Sequence, residues 1–101
     1  MARFLIMTHP KEPLSDSAYR RLPKRVAYWA GLRERGAEVY SIVGRKGYAI
    51  FIDVNSHDEL IDILHKNPMV QDEEAEVFPL GTVEGEVVTA GEAKYRELAD
   101  V

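Results

Sequence analysis

The sequence predicts an α+β domain whose elements run β-α-β-β-α-β. Two β-branched and aromatic runs, 37–43 and 48–54, flank Gly44-Arg45-Lys46-Gly47. A short polar loop with a glycine at each end is a hairpin signal. Directly after the hairpin, Ser56 and Glu59 form a capping box ahead of Leu60, Ile61, Ile63 and Leu64, which marks a helix start. A longer helical stripe precedes the hairpin, and a strand stands at either end of the series. That order is the ferredoxin-like arrangement, a four-stranded antiparallel sheet with both helices on one face.

The first strand is 3–9, ended by Pro10. Phe4, Ile6 and Thr8 face one way, and Leu5, Met7 and His9 the other. Apolar groups on both sides predict a central strand. Pro10 and Pro13 make a loop, since proline fixes φ and lacks a donor. Residues 14–35 carry Leu14, Ala18, Leu22, Val26, Trp29 and Leu32 on one helical stripe, with Ser15 or Asp16 as the cap. Pro23 removes a mid-helix hydrogen bond, so the spacing predicts a kink there or two helices. Gly36 is the stop. The second helix spans 58–66 and ends at Asn67-Pro68. Residues 69–74 read as an acidic loop and 75–83 as the last strand. Pro79 places that strand at an edge. A short terminal helix over 92–99, capped by Thr89, closes the chain.

The 101 residues make one domain, with its core in 2–83 and a tail over 84–101. A chain of this size buries roughly two-thirds of its unfolded surface. Its strands are apolar on both faces: Tyr48, Ile50, Ile52 and Val54 on one, Phe51 on the other. With both helices on one side, a second copy packed sheet to sheet is the economical cover. A homodimer or a higher oligomer of dimers is therefore expected.

Composition excludes several function classes. Net charge is −4 with acids and bases interleaved, against the clustered Lys and Arg of a nucleic-acid footprint. The chain has no cysteine, so disulfides and thiolate chemistry are out, and a cytoplasmic location is expected. The N-terminus lacks a signal h-region and no window reaches membrane-spanning length, so no membrane partner is expected. The three histidines lack a short ligand spacing: His57 and His65 are eight apart rather than four. His57 reads as a solvated first-turn residue, and the acidic run 72–76 as a solvated loop. No metal and no cofactor is expected. There is no phosphate loop and no nucleophile elbow.

Several segments together resemble the muconolactone Δ-isomerase family of the dimeric α+β barrel superfamily. They are Ile42-Val-Gly-Arg45, Phe51-Ile-Asp-Val54, Asn55-Ser-His-Asp-Glu-Leu60, Leu64-His-Lys-Asn-Pro68 and Glu76-Val-Phe-Pro-Leu80. The likeness covers about half of the chain, roughly 28–80. The first strand and the loop 8–13 depart from it, and His9-Pro10 resembles the YciI-like branch of the same superfamily. The resemblance implies a cofactor-free isomerase that shifts a proton on a small unsaturated lactone in aromatic-compound catabolism.

Such chemistry needs a base, a donor to the developing enolate and a cation for the substrate carboxylate. Arg45 suits the carboxylate, since a guanidinium binds it in a bidentate way; otherwise it is an exposed hairpin arginine. His9 suits proton transfer; otherwise it bonds backbone at a strand end. Asp53 is a base if it points inward, where burial raises its pKa. Tyr40 can donate to the enolate oxygen, and Tyr28 and Trp29 can wall the pocket; otherwise these aromatics are packing. The alternative function is a non-catalytic module of the same superfamily, YciI-like or monooxygenase-like in descent, that binds a small ligand or serves assembly. A cleft lined by Arg45 with His9 or Asp53 favours the enzyme. A cleft filled by Tyr, Trp and Phe favours the module.

Overall fold

The computed structural model describes residues 2–82. β1 (Ala2–Pro10) leads to α1 (Asp16–Gly31), which runs into a 3-10 turn over Leu32–Arg35. β2 (Glu38–Ser41) and β3 (Tyr48–Val54) form the hairpin, and α2 (His57–His65) leads to β4 (Glu73–Leu80). The sheet order is β2-β3-β1-β4, and every pairing is antiparallel. This is the expected ferredoxin-like α+β topology. The tail 84–101 and the helix read at 92–99 lie outside the described residues.

β1 is central, as its two apolar faces require. Ile6 stands opposite Ile50 on one side and Val77 on the other. Period-two alternation then assigns the faces. Phe4, Ile6, Thr8, Val39, Tyr48, Ile50, Ile52 and Val54 turn toward the helices, where most of them join Trp29, Leu32, Leu60 and Ile63 in one core. Leu5, Met7, Tyr40, Phe51, Phe78 and Leu80 turn the other way.

Three features differ from the sequence reading. α1 runs through Pro23 as one helix, so the two-helix alternative does not hold. Pro23 and Tyr19 both lie on the solvent side, so the Tyr19 carbonyl that loses its donor meets water. The buried stripe of α1 is Ala18, Arg25 and Trp29, while Val26 is 49% exposed. A charged residue displaces a valine because it has a buried partner, described below. β4 starts at Glu73, so part of the acidic run is strand. As the sheet order requires, Pro79 sits on an edge strand, where its missing N–H costs no ladder bond.

The local signals work as chemistry. Ser15 Oγ accepts from Ala18 N at 3.1 Å and starts α1. Gly36 ends the 3-10 turn with φ +85°, a left-handed conformation that favours glycine. Ser56 Oγ accepts from Glu59 N at 3.1 Å, and the Glu59 carboxylate reaches back to Asn55 N at 2.7 Å. In the hairpin loop, Ile42 N donates to the Gly47 carbonyl at 2.9 Å. Gly47 is there for space: a Cβ on it would lie 2.0 Å from the Thr8 carbonyl oxygen.

Candidate functional site

The described chain places its most organised polar chemistry between α1 and the sheet, beside the C-terminal end of β1. Arg25 and Glu73 are 5% and 6% exposed. Arg25 Nε donates to Glu73 Oε2. The other carboxylate oxygen accepts from Trp29 Nε1 at 3.1 Å and from Asn67 Nδ2 at 2.7 Å. Asn67 Oδ1 in turn accepts from Met69 N at 3.0 Å, which fixes the loop entering β4. The guanidinium carbon lies 4.6 Å from the Tyr48 ring centroid, a cation–π distance. One guanidinium nitrogen, Nη2, is buried with no partner. Arg21 pairs with Asp72 at the rim, at 2.5 Å.

This cluster rests on three elements. Ala18, Arg25 and Trp29 are spaced by seven and four, one face of a helix. Glu73 is the first residue of β4 and shares a face with Ala75 and Val77. Asn67 ends the α2 segment. Sequence reasoning missed Arg25, Glu73 and Asn67. The seven-four spacing was a usable signal for Arg25, and the period-two match to Val77 was one for Glu73. Both were outweighed by charge, because Arg and Glu are rarely buried unless paired.

The residues singled out from the sequence do not converge. Arg45 sits exposed on the hairpin turn, and its side chain has no partner among the described residues. His9 lies on the face away from the helices, with Nε2 3.0 Å from Glu74 Oε2 and Nδ1 buried without a partner. Asp53 is on that same face, but exposed and paired with Arg3 at 3.3 Å, so the inward orientation expected of a base does not occur. Tyr40 is exposed opposite Ala49, four residues along β3 from Asp53, donates to Glu38 at 3.2 Å and meets Phe51 edge to face. Asp53 stands opposite Arg3, six residues along β1 from His9. At about 3.3 Å per residue the two are roughly 20 Å apart.

Tyr28 and Trp29 are together, edge to face at 5.2 Å, but as packing. Trp29 is in the core, and Tyr28 donates its hydroxyl to the Ile63 carbonyl, tying α1 to α2. Burial, with Asp62 adding to it, pushes the Tyr28 pKa up against a smaller opposing pull from Arg35.

A shallow depression of about 250 Å³ lies at the opposite end of β1, lined by Ala2, Phe4, Val54, Asn55, Ser56 and His57. Ser56 is committed to the helix cap, and His57 has no carboxylate beside it there. The depression therefore offers shape without an acid–base pair. No group of His, Asp or Glu among the described residues is arranged to hold a metal. No helix among them is long and apolar enough to cross a membrane. Against protein-family models and curated proteins, this chain finds no match.

Proposed function

We propose that this chain is a non-catalytic, self-associating α+β module whose partner is a second copy, packed sheet against sheet. The uncovered sheet face carries the reading. Leu5, Met7 and Phe51 form its centre, with Tyr40, Phe78 and Leu80 at 54%, 41% and 39% exposure around them. No described segment covers this face, although all four strands contribute to it. A single copy would hold that apolar surface against water at about 25 cal/mol per Å². The second copy is the favoured occupant because the apolar centre runs across neighbouring strands, with Glu38 and Glu76 as charges beside it, opposite Phe51 and Met7. Arg3 and Asp53 lie at one end, His9 and Glu74 at the other.

The space between sheet and helices favours a module over an enzyme. It is filled by Trp29, Tyr28, Tyr48 and Phe4 and by the Arg25–Glu73 pair, with no Arg45, His9 or Asp53 in it. Light scattering or sedimentation of the wild type and of Leu5→Glu tests the proposal. A dimeric wild type and a folded, monomeric variant are expected. A wild type that is monomeric at micromolar concentration refutes it.

The isomerase reading, with its likeness to muconolactone Δ-isomerase, keeps one supporting observation. His9 with Glu74 is a histidine oriented by a carboxylate, the arrangement of a general base. Because Asp53 is so distant, a site using both would draw them from two copies across the sheet face. Turnover of muconolactone, followed by ultraviolet absorbance and lost in His9→Gln, would establish that chemistry. Its absence in a folded, dimeric sample leaves the module.

A further inference from the structure

We propose that self-association through the open sheet face is linked to proton uptake by His9, so that assembly is stronger in mild acid than in mild alkali. The inference rests on the assembly proposed above and adds its regulation. The charges on that face are unbalanced. At one end Arg3 answers both Glu38 and Asp53, at 3.5 and 3.3 Å. Toward the other end β4 turns Glu74 and Glu76 to the same face, opposite His9 and Met7. Both carboxylates are exposed in the single copy. Two residues along a strand puts them roughly 7 Å apart. The basic group that β1 sets against them is His9, whose Nε2 lies 3.0 Å from Glu74 Oε2.

Packing a second copy on this face removes water from these groups. A carboxylate is costly to desolvate unless a positive charge compensates it. With His9 neutral, Glu74 enters the interface beside an uncharged donor, and Glu76 adds a second anion. The partner brings the same excess of carboxylates. With His9 protonated, His9 and Glu74 enter as a neutral pair. The assembled state therefore holds the His9 proton more tightly than the separate copies do. Linkage turns that difference into association that strengthens as pH falls. Histidine changes charge between about pH 5 and 8, so the effect falls in that window. The other groups around His9 leave the sign unchanged. Toward β3 it faces Gly47, which carries no charge. Lys11 donates to the Gln71 carbonyl, Lys46 pairs with Glu12, and Arg45 is exposed on the hairpin turn. These cations stand in loops beyond the strand ends, in water. His9 Nδ1 is already buried without a partner in the single copy, so its unmet bond weighs on both states and cancels from the linkage. His57 and His65 bound α2, on the other side of the sheet.

Sedimentation equilibrium of the full chain at about pH 6 and about pH 8, at one ionic strength, tests the link. The wild-type dimer dissociation constant is expected to be about tenfold lower at the acid value. His9→Gln keeps a donor toward Glu74 but cannot titrate, and its dissociation constant should be the same at both values. Glu74→Gln removes the stranded carboxylate and should associate more tightly than wild type at the alkaline value. A wild-type dimer whose dissociation constant stays constant, or falls as pH rises, overturns the link and leaves the assembly standing. A His9→Gln variant that keeps the full pH dependence overturns the role of His9. A wild type that is monomeric at both values overturns the assembly and the link together. If His9→Gln does not fold, dilution calorimetry of the wild type at neutral pH, in two buffers of different ionisation enthalpy, decides the matter. Heats that differ between the buffers in the sense of proton release on dissociation are expected, and equal heats overturn the link.

Discussion

Replacing Glu73 by Gln strikes the one place among the described residues where this small fold depends on a buried charge pair. The carboxylate accepts from Arg25 Nε, Trp29 Nε1 and Asn67 Nδ2. A glutamine keeps one oxygen and presents an NH2 group where the other stood, so a donor faces at least one donor. Arg25 would remain charged at 5% exposure with its counterion gone. Breaking a buried pair from one side costs about 3–5 kcal/mol. A domain of this size has about 5–15 kcal/mol of stability, so roughly a fifth or more of the total would go. Urea unfolding followed through Trp29, the single tryptophan, reads the loss, and its indole reports on the same carboxylate. Protein concentration must be held fixed, since self-association would couple it to the midpoint. Adding Arg25→Met to Glu73→Gln should recover more than half of the loss, because an apolar side chain leaves no uncompensated charge. A loss below about 1 kcal/mol for Glu73→Gln, the scale of an exposed ion pair, would refute the reasoning.

Other outcomes follow from single positions. Gly47→Ala should cost more than about 2 kcal/mol in the same assay, because its Cβ meets the Thr8 carbonyl, a backbone atom with little freedom to yield. Gly31→Ala meets nothing and has helical dihedrals, so it should gain about 0.5–1 kcal/mol. Ser56→Ala should cost about 1 kcal/mol by removing the α2 cap. The raised pKa of Tyr28 makes the folded state hold a proton that the unfolded chain releases near pH 10. Its contribution is therefore complete below the unfolded value and is lost as pH climbs through the folded one. Denaturation midpoints should fall at alkaline pH, and Tyr28→Phe should flatten that slope.

Local chemistry made most of the fold legible. Ser15, Gly36 and Ser56 act on backbone groups within a few residues of themselves, so their effects can be read without knowing what else is near. The same holds for the alternation in β1 and β3, since a period of two sends side chains to opposite faces wherever the strand lies. Pro79 likewise announced an edge, because a missing donor is tolerated there. Pro23 did not divide the helix in two, since the cost of a proline in a helix depends on whether water reaches the carbonyl it strands, and that depends on which side faces the core.

Only the tertiary structure decided the polar site. Arg25 and Glu73 are 48 residues apart in sequence. Each alone reads as surface, because an unpaired charge is too costly to bury. Their pairing reverses that cost, and pairing is a fact of assembly rather than of either neighbourhood. His9, Asp53, Arg45 and Tyr40 show the converse. Their residue types suit catalysis, yet strand direction and register place them at opposite ends of one face and on an exposed turn. The sequence by itself determined the elements, their order and the apolar faces they must cover. The structure determined which polar groups meet, because Coulomb and hydrogen-bond energies depend on distances that the chain sets only when it folds.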